Sequence, residues 1–242
     1  MANFVLVHGG WSGSGGFRHV KRLLELEGHS VSTPSLTGLG ERVHLASPTV
    51  NLSTHIRDVV NHILYEDLDS ITLVGFSYGG FVVTGSLEHV ADRVRHLVFL
   101  DAFVPSSGET VFSHTGRPRR PAAHLGETWL AQPPGREFDD SEEGKWMLAR
   151  RNQHPIECFN EPVYLSKPLE EFDFARTYIK ATLSPASDLG EDAFLRAAAH
   201  AKSSMAWHYA EIPTTHMVAS NRPRELASIL LSGLHAAPSR SV

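Results

Sequence analysis

The sequence predicts an α/β protein built on a mostly parallel sheet with helices on both faces. Short apolar runs rich in β-branched residues alternate with longer stretches of helical periodicity along most of the chain. Those runs are apolar throughout instead of every second residue, as strands covered on both faces are. One long stretch, residues 104–175, breaks the alternation and reads as an insertion.

Phe4-Val5-Leu6-Val7 reads as a buried strand, ending at His8-Gly9-Gly10-Trp11 and the glycines between Gly13 and Gly16. The next helix carries Val20, Leu23, Leu24 and Leu26 and stops at Gly28. Residues 29–34 suggest a second strand. A loop through Gly38, Gly40 and Pro48 leads to a helix with Ser53 as candidate N-cap and Ile56, Val59, Val60, Ile63 and Leu64 on one face. Strands are expected at 71–74 and 96–100, the latter ending in Asp101, with a helix at 81–90 between them. Later come a strand at 176–182, a helix at 191–202 and a strand at 206–212. A last helix is opened by Pro223 and carries Leu226, Ile229 and Leu230.

The inserted stretch is rich in proline, charge and aromatics: Trp129, Pro133, Pro134, Trp146, Phe159, Tyr164 and Phe172. It lacks clear strands, and some 70 residues of structureless loop would be unusual in a compact domain. It therefore reads as a helical cap over the carboxyl end of the sheet. The chain divides into a core of residues 1–103 and 176–242 and a cap of residues 104–175.

Composition narrows the function. The 242 residues carry a formal net charge of -5, which gives no reason to expect nucleic acid or an anionic membrane surface as partner. Arg117, Arg119 and Arg120, broken by prolines, read as a solvated loop. No run approaches the roughly 18 apolar residues of a membrane helix. The opening MANFVLVHGG enters a strand-like run at once, which predicts no signal peptide. The one cysteine, Cys158, allows no intramolecular disulfide and fits a reducing compartment. A cytoplasmic monomer or homodimer is the expectation. The 15 histidines show no His-Glu-x-x-His and no zinc-type Cys/His pair, so neither metal nor other cofactor is expected. His200, His208 and His216, eight apart, fall on different elements, and their spacing reads as accidental.

The chemistry points to Gly75-Phe76-Ser77-Tyr78-Gly79. This is G-x-S-x-G after a strand and before a helix, the context that gives the motif meaning. A serine on so sharp a turn takes strained dihedrals, and Gly75, Gly79 and Gly80 remove the side chains that would collide with it. The turn places the Ser77 hydroxyl at a helix amino end, where the Tyr78 N–H can meet a developing oxyanion. A serine needs a base. In this topology it comes late, after the last strand, and His216 occupies that place. A second oxyanion donor is expected from the loop after the first strand, at the Gly10 amide. Trp11 there could pack the core or wall a pocket, and Phe76, Trp129 and Phe159 are the other candidate substrate contacts. Two carboxylates compete to orient the histidine. Asp101 sits among apolar neighbours, where a carboxylate needs a partner; Asp188 follows the strand at 176–182. Asp101 is preferred and Asp188 stays open.

VLVHGGW, LVGFSYGG and THM together resemble the α/β-hydrolase superfamily, and within it the bacterial relatives of the plant methyl esterase and hydroxynitrile lyase group. Gly38 to Gly40, LVFLDAFVP, RTYIKAT and the stretch 150–165 with His154, Pro155 and Pro162 extend the likeness over nearly the whole chain. The resemblance implies an α/β-hydrolase fold, Ser77 as nucleophile, His216 as base, and the Gly10 and Tyr78 amides as oxyanion hole. It also shows departures. The family often has Gly-His-Ser at the elbow, where this chain has Gly75-Phe76-Ser77, and its common acid after the RTYI-like strand is missing at Ser184. Met217 follows His216, as in the esterases of the group, where its lyases resemble one another in a lysine. The expectation is a serine hydrolase without a cofactor, acting on a small, fairly apolar, neutral ester. The cap offers aromatic and aliphatic groups and no obvious cation pocket. A carbamate or amide substrate is the alternative, followed by a lyase or a non-catalytic receptor on the same scaffold.

Overall fold

A computed structural model describes residues 1–118 and 129–236 of the chain. Arg119 and Arg120 of the basic cluster lie outside the described residues; Arg117 is exposed. Six strands form one parallel sheet: β1 (Asn3–Val7), β2 (Ser30–Ser32), β3 (Ile71–Phe76), β4 (Val94–Leu100), β7 (Ala175–Ala181) and β8 (His208–Ile212), in the order β2-β1-β3-β4-β7-β8. Along each central strand, side chains alternate between two cores. Val5, Val7, Leu73, Leu97, Phe99 and Tyr178 face one; Phe4, Leu6, Val74, Val98, Leu100 and Ile179 face the other.

The second core is covered by α1 (Arg18–Leu26) and α8 (Pro223–Ala236), through Val20, Leu24, Leu226 and Leu230. The first is covered by α2 (Leu52–Tyr65), α3 (Gly79–Val90) and α7 (Glu191–Ser203). Gly28 ends α1 with φ +81°, its N–H bonded to Glu25 O and the His29 N–H to Leu24 O. The start of α2 differs from expectation. Asn51, not Ser53, caps it, its side chain accepting from the Thr54 N–H at 3.0 Å. The Ser53 amide and hydroxyl instead bond Glu161 at 2.7 and 2.6 Å.

The described residues between β4 and β7 form the short α-helices α4 (Val111–His114), α5 (Ser141–Leu148) and α6 (Glu157–Asn160) and a 3₁₀ turn at Leu169–Glu171. The stretch also holds strands that the sequence does not announce: β5 (Leu130–Ala131) pairs antiparallel with β6 (His154–Pro155). Two-residue strands are too short to show periodicity. No described helix is long and apolar enough to cross a membrane. The chain leaves β1 for β2 on one side and β3 on the other, so the carboxyl ends of β1 and β3 flank the switch point where α/β sheets bind ligands.

Candidate active site

Ser77 follows β3 with φ +54°, a left-handed conformation for a residue with a Cβ. The glycines around it are sterically required. A Cβ on Gly75 would lie 2.7 Å from Val83 Cγ2, one on Gly79 2.7 Å from Val7 O, and one on Gly80 2.0 Å from Phe103 O. The turn is tied to the next strand: the Ser77 N–H donates to Leu100 O at 3.2 Å, and Ser77 O accepts from the Phe103 N–H at 3.3 Å. The Ser77 hydroxyl thus stands beside the end of β4, where Asp101 also has a positive φ, +40°.

His216, in the turn after β8, joins the two. Its Nε2 is 3.0 Å from Ser77 Oγ and its Nδ1 is 2.6 Å from Asp101 Oδ2. The ring is stacked on Phe194 at 5.2 Å between centroids and lies 4.7 Å from Phe76. These rings fix its plane. Burial lowers the His216 pKa, and the Asp101 carboxylate partly offsets this. Burial alone would raise the Asp101 pKa, but His216 and Lys180 together outweigh it and hold the carboxyl below its ordinary value.

Lys180 is a part of the site that sequence reading missed. Its Nζ lies 2.9 Å from Asp101 Oδ1 and 2.9 Å from Glu191 Oε1, and the Ala181 N–H donates to Asp101 Oδ1 at 3.2 Å. Asp101 is fully buried, and Lys180 and Glu191 nearly so. Burial would lower the Lys180 pKa, but its two carboxylate neighbours raise it, so it remains a cation. The available signal was a lysine inside an otherwise buried strand, which demands a counterion.

The loop after β1 passes over the elbow. A Cβ on Gly9 would lie 2.9 Å from Ser77 Cβ, and one on Gly10 3.7 Å from Tyr78 Cβ. Among the described residues, neither the Gly10 nor the Tyr78 amide donates to a protein acceptor. Tyr78 buries its ring, with its hydroxyl 2.9 Å from His55 Nδ1. Trp11 holds the loop open at φ +60°, its indole N–H donating to Ala131 O at 2.9 Å. His154, stacked on Phe159, packs against Gly10. His55, His154 and Cys158 have ligand atoms within 4.8 Å of one another, the one described group that could hold a metal. Both His55 nitrogens are already engaged, Nδ1 by the Tyr78 hydroxyl and Nε2 by Thr37 O at 2.8 Å, so a metal would have to break one of these bonds.

A cavity of about 600 Å³ opens above Ser77, lined by Trp11, Tyr78, Phe103, Phe112, Phe159 and Arg136 among others. That volume suits a small organic molecule. Trp11 and Phe159 therefore sit where a substrate contact was expected, and Phe76 and Trp129 do not. Phe76 points to the opposite face of the sheet, against Phe17 and His216, on the same side as Val74 two residues before it on β3. Trp129 packs against the core below. Asp188 lines the cavity but pairs with Arg136, Oδ2 to Nη1 at 3.0 Å, not with His216. The wall also contains two cationic residues, Arg117 and Arg136. A second cavity of about 690 Å³, lined by Val104, Leu165 and Trp207, is not lined by Ser77 or His216.

Comparison with known proteins agrees with this architecture. The chain is 50% identical over 113 residues to a carbendazim hydrolyzing esterase from Nocardioides sp. (strain SG-4G), an alignment covering 47% of this chain and 47% of that protein. The chain thus spans about half the length of that relative. An extracellular alpha/beta-hydrolase from a Paenibacillus species, described as sharing structural and functional homology with tobacco salicylic acid binding protein 2, superposes with a TM-score of 0.76 at 21% identity. That match covers 96% of this chain and 98% of the other. A pyrethroid hydrolase from Sphingobium faniae JZ-2 gives a TM-score of 0.70 at 23% identity over 97% and 98% of the two chains. A family model matches residues 4–229, nearly the full length, and the chain belongs to the alpha/beta hydrolase family.

Proposed function

We propose that the protein is a serine esterase that cleaves small carboxylic esters through an acyl-enzyme. The observation that carries this reading is the unbroken chain Ser77 Oγ–His216 Nε2 at 3.0 Å and His216 Nδ1–Asp101 Oδ2 at 2.6 Å, beside two amides that have no acceptor among the described residues. Asp101 holds the imidazole with its proton on Nδ1, leaving Nε2 free to accept from Ser77. Ser77 attacks the ester carbonyl while His216 takes its proton. The oxyanion is met by the Gly10 and Tyr78 N–H groups, which are fixed in place before reaction. His216 then protonates the departing alkoxide, and water releases the acyl group by the same steps. Burial of the ring keeps it neutral between turnovers. The described residues between β4 and β7 serve as a cap, with Phe112, Leu130, Arg136 and Phe159 in the cavity wall.

A second reading, a carbamate as the substrate, is favoured by the half-length likeness to the carbendazim hydrolyzing esterase. The chemistry is the same, with nitrogen in place of carbon next to the attacked carbonyl. Both readings are tested by hydrolysis of p-nitrophenyl acetate and a matched p-nitrophenyl carbamate by wild type and Ser77→Ala. Loss of both activities with the hydroxyl is expected; a rate that survives in Ser77→Ala refutes the nucleophile. A carbamate rate at background removes the second reading alone.

A further inference from the structure

The wall of the Ser77 cavity carries a guanidinium that the proposed chemistry does not use. Arg136 lines that cavity beside Ser187 and Asp188, yet its side chain is only 6% exposed. A guanidinium offers five N–H donors in a planar fork. Asp188 is the carboxylate paired with it among the described residues, Oδ2 lying 3.0 Å from Nη1, while Asp101 and Glu191 act on it from farther off. The approach is not aligned for a hydrogen bond, so Nη1 is a buried donor without an acceptor among the described residues. Neighbouring Arg151, whose guanidinium donates to Pro134 O at 2.5 Å, repels Arg136 and does not fill it. Arg136 is also close enough to His216 for its charge to be felt there. A buried donor left unfilled carries a desolvation penalty, and Arg136 is part of the cavity wall, so a small turn of its guanidinium would bring an N–H to an acceptor bound there.

We propose that Arg136 anchors the substrate by donating to a neutral acceptor, a carbonyl oxygen remote from the scissile bond. Asp188 already balances the charge of Arg136, so an added carboxylate would meet its repulsion while a carbonyl would not. The substrates favoured are thus small esters or carbamates bearing a second carbonyl. This rests on the serine-esterase reading for which bond is cleaved, but the binding preference stands apart from turnover.

The test is calorimetric titration of Ser77→Ala protein with three probes that differ at one end of the acyl chain: phenyl pentanoate, phenyl 4-oxopentanoate and the phenyl half-ester of succinic acid. The keto ester should bind about tenfold or more tighter than the pentanoate, the gain of a hydrogen bond to a charged donor. The half-ester should bind no tighter than the keto ester. In Ser77→Ala/Arg136→Met the keto ester should fall to the affinity of the pentanoate. In Ser77→Ala/Arg136→Lys, which keeps the charge and loses the fork, most of the preference should also go, and this variant decides the matter where the methionine protein does not fold. Equal affinities in Ser77→Ala, or a preference that survives both replacements of Arg136, would overturn the proposal. A tightest-binding half-ester would overturn the neutral acceptor. A wild type that hydrolyses none of the probes while the binding preference holds would refute the esterase reading and leave this one standing.

Discussion

Replacing Lys180 with methionine should destabilise the protein strongly, and more so at alkaline than at acidic pH. The lysine Nζ bridges two buried carboxylates, 2.9 Å from Asp101 and 2.9 Å from Glu191. Methionine fills the volume but leaves both acids without their cation. Removing one partner of a buried ion pair costs about 3–5 kcal/mol. For a chain of this size each kcal/mol lowers Tm by about 2–4 °C, so the melting point should fall by about 6–20 °C. The pH dependence follows from Glu191, whose pKa burial already raises even with Lys180 present. Without the lysine it rises further, so the folded variant binds a proton that the unfolded chain does not. Its stability is therefore greatest below the unfolded pKa of Glu191 and declines as pH rises through the folded one. Thermal melts of wild type, Lys180→Met and Lys180→Met/Glu191→Gln at about pH 5 and about pH 8 measure this. The double variant should recover at least half of the loss, since it removes the charge that Lys180 neutralised. A fall of less than about 2 °C in the single variant, or a gap that does not change with pH, would show that Lys180 does not compensate those carboxylates.

Three further outcomes are expected. Asp101→Asn should cut kcat by about 10⁴-fold, as loss of a buried triad carboxylate does, while Asp188→Asn should change it by less than about tenfold; comparable losses would remove Asp101 from the proposed mechanism. The acidic limb of kcat/KM should lie below the ordinary histidine range, because burial favours neutral His216 and the base works only when neutral; a limb centred well above about pH 7 would contradict this. Gly80→Ala places a Cβ 2.0 Å from the backbone oxygen of Phe103, which cannot yield as a flexible side chain would. Its Tm should drop by several degrees or soluble protein should be lost, the overpacking penalty of about 1–3 kcal/mol or more, and a melt equal to wild type would refute the packing argument.

The sequence by itself determined the sheet, the order of its elements and the turn that presents Ser77. Those are local properties. Apolar runs mark buried strands, Gly28 and Pro223 mark helix ends, and the spacing of Gly75, Ser77 and Gly79 has meaning over five residues. His216 was legible because topology fixes where the last strand ends. What lies beyond required the fold. Asp101 was preferred along the chain with Asp188 left open, and only the adjacency of β4, β7 and β8 brings Asp101 to 2.6 Å from His216 and leaves Asp188 on Arg136. Lys180 meets Asp101 and Glu191 through contacts between different elements of the fold. Phe76 seemed a pocket residue from its place beside Ser77, but it is the last residue of β3 and shares the face of Val74, while the residues lining the cavity do not include it. Arg136 lies in an irregular stretch without periodicity, and its burial in the cavity wall depends on how that stretch folds back over the sheet. Long-range juxtaposition is set by packing summed over the whole chain, and no short window of residues contains it.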